Sequence, residues 1–333
     1  MKRLLIAILV LSGLWFSYWF IGAASMRTGV QGWFEARRAD GWVADYSEMA
    51  VRGFPNRLDV FLTNPVVADP DSGLAWQADK LDILALSYRR NHMIAVFPPQ
   101  QMVSTPFGKY VITHDDMRAS LVVDTAREKA VMRANLVGDA LRIKSDRQDG
   151  ISARQLRAAI TELGDAPNSY RIAVVAEDLR PPLPYHSQLA GKATLPDTFE
   201  TARADISVTF DAPWDRHAVD SARPQPRKID ITLAEAKWGE LLLQLAGSLD
   251  VDRQGVPTGR LVVKARNWRE ILGLVRAQGS VPPSVLDGLE TALSLAAGLS
   301  GNKHTLDLPL DFRGGRIFLG PAPIGTAPRI QLR

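Results

Sequence analysis

Residues 202–212 read ARADISVTFDA, and their alternation decides the fold class. Ala204, Ile206, Val208 and Phe210 fall on one side. Arg203, Asp205, Ser207, Thr209 and Asp211 fall on the other. Successive side chains of a strand point to opposite faces, so a period of two marks a half-buried strand. RKIDITL, residues 227–233, repeats the pattern, with Ile229, Ile231 and Leu233 against Lys228, Asp230 and Thr232. Further strands are read at 117–125, 130–137, 140–145, 170–177 and 259–265. Links such as DTAREK (124–129) are short and polar, which predicts antiparallel neighbours.

Helix signals interrupt the strands. Ser152 to Gln155 and Asn267 to Glu270 have capping-box spacing ahead of LRAAITELG and ILGLVRAQG, which end at Gly164 and Gly279. Ser284 to Asp287 opens a third helix that ends near Gly298 or Gly301, apolar along Leu286, Leu289, Leu293 and Leu295. A short helix is expected over 29–40, stopped by Gly41. The expected architecture is β-rich α+β: an N-terminal membrane helix, then a long curved antiparallel sheet with a few packing helices. The Pro-rich stretch 179–201 divides it into an anchor (1–26), a β-rich half (27–180) and a second half with two helices (181–333).

Residues 4–24, LLIAILVLSGLWFSYWFIGAA, carry no charge and follow Lys2 and Arg3. A helix of this length spans the roughly 30 Å hydrocarbon layer. Leu4 and Leu5 begin it, and Trp15, Trp19 and Phe20 lie near its far end, where amphipathic rings favour the interface. A cleavable signal has a shorter apolar run of about 7 to 15 residues and no bulky aromatics beside the cut, although Gly22-Ala23-Ala24 could serve as one. The anchor reading is preferred, with the short basic N-terminus inside and the long C-terminal part outside. In a two-membrane bacterium that is the inner membrane and the periplasm.

The formal net charge is only +4 among 40 basic and 36 acidic residues, scattered along the chain. A nucleic-acid binder would gather them into a stripe, so no nucleic-acid partner is expected. There are no cysteines, which excludes thiolate metal sites, disulfides and a Cys nucleophile. His92, His114, His186, His217 and His304 have no metal-ligand spacing, and no HExxH, GxSxG or Walker loop occurs. His114-Asp115-Asp116 could hold a cation, but a polar strand end explains it equally well. Neither catalysis nor a cofactor is expected.

Some strands are apolar on both faces. In RGFPNRLDVFLTNPVV (52–67), Leu58, Val60 and Leu62 share one face while Phe61 lies on the other, and Asn64-Pro65 stops the run. In DKLDILALSY (79–88), Leu84 and Leu86 oppose Leu81 and Ile83. A second apolar face needs a cover: helices, a second sheet, the membrane or a hydrophobic ligand. Phe61, Leu84 and Leu86 are the candidate lining of an apolar groove.

Gly41-Trp42, with Gly53-Phe54-Pro55, Arg57 and Asp59, resembles an uncharacterised bacterial envelope family, domain of unknown function number 2125. GSLDVDRQGVPTGRLVVKARNW (247–268) and LDLPLDFRGGRIFLGPAPIG (306–325) are similar, more loosely, to the ends of AsmA-like envelope proteins. The resemblance implies an inner-membrane anchor, a long curved sheet and a role in lipid handling or envelope maintenance, and supplies no catalytic residues. The expected partners are the inner membrane and a phospholipid or other apolar ligand. The alternative is an envelope scaffold that binds protein partners at a sheet edge.

Overall fold

The computed structural model describes residues 1–145, 150–164, 166–181, 195–220, 223–278, 283–299 and 305–332. Its 20 strands belong to one open antiparallel network. The chain divides into two compact units, Met1–Val123 with Leu136–Gln148, and Asp124–Asn135 with Asp149–Arg333.

The first unit opens with α1, Lys2–Ala39, which is long and apolar enough to cross a membrane. The expected break between an anchor ending at residue 26 and a separate helix at 29–40 does not exist. Ala24-Ser25-Met26-Arg27-Thr28 holds neither proline nor glycine, so nothing there stops helix propagation. Gly41 does end the helix. Its φ of +85° suits a residue without Cβ, and its N–H and that of Trp42 cap the carbonyls of Arg38 and Arg37.

The strands of this unit come in pairs separated by a crease. β1 (Val43–Asp45) and β2 (Glu48–Arg52) part at Tyr46-Ser47. β3 (Asp59–Thr63) and β4 (Val66–Asp69) part at Asn64-Pro65, and β5 (Leu74–Ala78) and β6 (Lys80–Leu86) at Asp79. β7 (Arg89–Val96) and β8 (Gln100–Thr105) part at Phe97-Pro98-Pro99. β9 (Gly108–Thr113) and β10 (Asp116–Asp124) part at His114-Asp115, and β11 (Ala130–Ser145) follows. On one side of the crease β1, β4, β5, β8, β9 and β11 pair in that order. On the other, β2, β3, β6, β7 and β10 do.

Proline and left-handed residues explain the crease. Pro65 and Pro99 cannot donate to a ladder, and Asn64 has a φ of +49°. Backbone bonds stitch the crease instead: Asn64 N–H to Asp79 O at 2.8 Å and His114 N–H to Pro99 O at 3.1 Å. α1 covers one face through residues spaced at helical period. Phe34, Met26 and Val30 pack on Val60, Leu62, Leu81 and Ile83.

The second unit is an uninterrupted meander. β12 (Ile151–Glu162), β13 (Ser169–Glu177), β14 (Thr201–Phe210), β15 (Pro226–Trp238) and β16 (Leu241–Val251) pair each with the next. β17 (Pro257–Arg266), β18 (Thr305–Arg313), β19 (Arg316–Leu319) and β20 (Ala322–Thr326) continue the order. A four-residue α2 (His217–Asp220) lies between β14 and β15. The helix expected from Ser152 to Gly164 is the strand β12. Leu156, Ala159 and Ile160 fit a helical stripe, but Leu156, Ala158 and Ile160 also fit a period of two. Eight ladder partners on β13 select the strand.

The two later helices form as expected: α3 (Trp268–Gln278) and α4 (Pro283–Leu299). Trp268, Leu272, Leu286 and Leu293 bury Ala265 of β17 and Leu306 of β18, with Leu289 packed at the margin. The Leu295 side chain, Gly279 and Gly301 lie outside the described positions.

The two faces of this sheet differ sharply. One carries aliphatic rungs: Ile160–Ile172–Ile206–Ile231, and beside it Tyr170–Val208–Ile229–Leu249. The opposite face carries ion pairs, Arg171 with Asp205 at 2.5 Å, Arg203 with Glu235 at 3.0 Å and Arg260 with Asp311 at 2.6 Å. Gly247 of β16 pairs with Leu261 and Gly259 of β17 with Leu249, and the two glycines have φ of +138° and +145°. A Cβ at Gly247 would overlap the carbonyl oxygen of Arg260.

Two outcomes follow. Gly247→Ala destabilises the chain by about 1–3 kcal/mol through strain and backbone overlap, whereas Gly325→Ala, with open space around it, is close to neutral. Equal thermal midpoints for the two variants contradict the close approach. The other outcome concerns the crease, where Trp76 Nε1–H donates to Gln101 Oε1 at 2.8 Å and Gln101 Nε2 meets His114 Nε2 at 3.3 Å. Burial holds the His114 pKa below its ordinary 6.5, against the opposing pull of the Pro98 backbone and of Asp116 and Asp115. The unfolded chain therefore takes the proton first as pH falls. This part of the stability is complete above about pH 6.5, declines below it and levels off under the folded pKa. His114→Gln shows a smaller drop in thermal midpoint between neutral and mildly acidic pH than the wild type. Parallel drops contradict it.

Candidate functional site

The aliphatic rungs of the second unit do not close on themselves. They floor a cavity of about 490 Å³, within the range of small-molecule sites. Ile160, Ile172, Tyr170, Val208, Phe210 and Ile229 form the floor, one rung after another from β12 to β15. Val131 and Ala134 of β11 form a wall, and Trp214, Pro226, Ile330 and Leu332 complete the lining. The surface inside is almost wholly apolar.

Each lining element is placed by a bond that also satisfies its backbone. The Val131 N–H donates to Trp214 O at 2.7 Å, tying the 211–216 loop to β11. The Trp214 N–H donates to the Tyr170 hydroxyl at 3.2 Å. Burial raises the Tyr170 pKa, so the phenol stays neutral and the cavity gains no charge. Phe210 stands edge-on to both Tyr170 and Trp214, with centroids at 6.0 and 5.5 Å. The C-terminal segment crosses as a strap. Its Ala327 N–H bonds Gly315 O and its Ile330 N–H bonds Gly255 O. The Gln225 side chain exchanges bonds of 2.9 and 2.8 Å with Leu332.

Charge is confined to the margin. Glu162 is the ladder partner of Tyr170, and Arg127 grips it with two bonds of 2.7 Å while also binding Asp124. The guanidinium holds both carboxyls below their ordinary range. Such a cluster gives an ordered rim and no unpaired acid or base inside. The arrangement can hold an apolar body against the sheet.

The expected groove residues lie in the other unit. Phe61 on β3 pairs with Asp82 and lies 6.0 Å from the Arg52 guanidinium. Leu84 pairs with Ile94 and Leu86 with Arg89. All three are half-buried on the face turned away from α1, which Lys80 and Asp82 share. The cavity is built from other residues, and alternation in 170–177, 202–212 and 227–233 marks only the apolar face that floors it.

Leu4 and Leu5 project from α1, 67% and 59% exposed. Trp15 and Trp19 donate to the carbonyls of Pro55 and Arg57, and the Phe20 ring lies tilted against Phe16 with centroids 4.4 Å apart. Of the histidines, His92 is half-buried in β7, His114 is buried at the crease and His217 is exposed, while His186 and His304 lie outside the described residues. Among the described residues no group of three or more His, Cys, Asp or Glu could hold a metal ion.

No curated protein and no solved structure matches the chain. Residues 19–328 match the family of uncharacterized proteins conserved in bacteria designated DUF2125, and the chain belongs to that family.

Proposed function

We propose that the chain is a membrane-anchored envelope protein that holds an apolar ligand, the acyl chain of a phospholipid, against its C-terminal sheet. The apolar cavity under the strap is the observation that carries this reading. Burying apolar surface contributes roughly 25 cal/mol per Å², so an acyl chain in an otherwise dry slot gains binding energy without needing a polar partner. The α1 helix supplies the anchor, with the β-rich part on the periplasmic side. The looser AsmA-like pattern of 247–268 and 306–325 points the same way. The reading assigns the chain no catalysis and no cofactor.

The full chain purified in mild detergent should carry phospholipid or fatty acid, read by extraction and mass spectrometry. Ala134→Trp fills the cavity from its wall and should remove most of that lipid while the protein stays folded. Wild-type protein without lipid, or equal lipid in the variant, refutes the reading.

A further inference from the structure

Residues 15–19 of α1 do two jobs. They lie within the apolar run 4–24, and they also hold two turns of the first unit. Trp15 Nε1–H donates to Pro55 O at 3.1 Å and Trp19 Nε1–H to Arg57 O at 2.6 Å. The Tyr18 hydroxyl donates to Ser87 O at 2.8 Å. Phe54 adds ring contacts to Phe16 and Trp19, at 5.6 and 5.5 Å. The turn joining β2 to β3 and the turn joining β6 to β7 are therefore fixed to the helix.

Helix rise sets the depth of those turns. From Leu4 the helix reaches Trp15 after about 17 Å and Trp19 after about 23 Å. The hydrocarbon layer is about 30 Å thick. A helix that spans it from Leu4 holds both turns within the leaflet from which it emerges, roughly 7–13 Å inside the hydrocarbon edge. The side chains at the tips suit that place. Phe54 is 51% exposed and Tyr88 64%, despite their size. Arg52, Arg57 and Arg89 are exposed around them. Asp59 is buried and bonded to Arg57 at 2.7 Å and to the Ala85 N–H, so it offsets the charge of Arg57 and leaves Arg52 and Arg89 to carry the positive charge of the tips.

We propose that these two turns form a membrane-surface site on the bilayer that α1 crosses. Phe54 and Tyr88 lie among the acyl chains, and the long side chains of Arg52 and Arg89 reach outward to lipid phosphate oxygens. The site fixes the first unit against the membrane instead of leaving it on a tether. It rests on the reading of α1 as a spanning helix.

The chain has no cysteine, so single-cysteine labelling needs no background mutations. Full-length Phe54→Cys, Tyr88→Cys, Leu9→Cys and Phe107→Cys proteins, each with an environment-sensitive fluorophore, are placed in vesicles of phosphatidylethanolamine and phosphatidylglycerol. Phe107 is 81% exposed on the turn joining β8 to β9, at the opposite end of the strands. Spin-labelled lipids should quench labels at 54 and 88 several-fold more than the label at 107, with blue-shifted emission. Leu9 should be quenched by deep spin labels. Quenching at 54 and 88 no stronger than at 107, with Leu9 quenched, overturns the surface site and leaves the anchor intact. A Leu9 label that escapes quenching overturns both. Position 88 tests the site independently should Phe54→Cys disturb its helix contacts.

Discussion

An aliphatic sheet face has to be taken out of water, and the second unit is organised by that requirement. Isoleucine follows isoleucine across β12 to β15, while the reverse face neutralises its arginines rung by rung. Covers are then recruited piecemeal. α3 and α4 take the end of β17 and β18 nearest Ala265 and Leu306. The strap takes another part, with Ala327 and Ile330 packed near Leu249, Leu261 and Phe312. Among the described residues the cover between β12 and β15 is incomplete, and that shortfall is the cavity.

The first unit meets the same requirement differently. Its core face is sealed by the second half of α1, an extension of the segment that is apolar enough to enter a bilayer. One uninterrupted helix thus links any membrane placement to the packing of Val60 and Leu62. The creases at Asn64-Pro65 and Pro98-Pro99 let long strands change direction without losing their neighbours, because the ladder resumes in register on each side.

Period-two alternation made most strands legible, and ARADISVTFDA occupies β14 almost as read. Alternation could not reveal Ser152–Gly164, because Leu156, Ala159 and Ile160 fit a helical stripe as well as Leu156, Ala158 and Ile160 fit a period of two, and only the β13 partner decides. It also marked Phe61 and Leu84 as apolar, yet the same period of two puts charged Lys80 and Asp82 on the face of Leu84, and the β3–β6 register adds Phe61 to it. The cavity was hidden for another reason. Its floor comes from strands that each look ordinary, and its cover comes from Trp214, Ile330 and Leu332, distant in sequence from all of them. Local pattern reports which face is apolar, whereas tertiary contact reports whether that face is covered. Trp15 and Trp19 were readable as interfacial rings, but their hydrogen bonds to the 53–57 turn were not.

The most direct test of an occupied cavity is a photoreactive amino acid at Ile160, which lines the cavity and is 37% exposed. Irradiation in intact cells followed by mass spectrometry of the protein should yield an adduct with the mass of a phospholipid or fatty acid. Adducts formed only with other segments of the chain, such as the strap at Ile330, would contradict the account, since the slot would then be closed by protein alone.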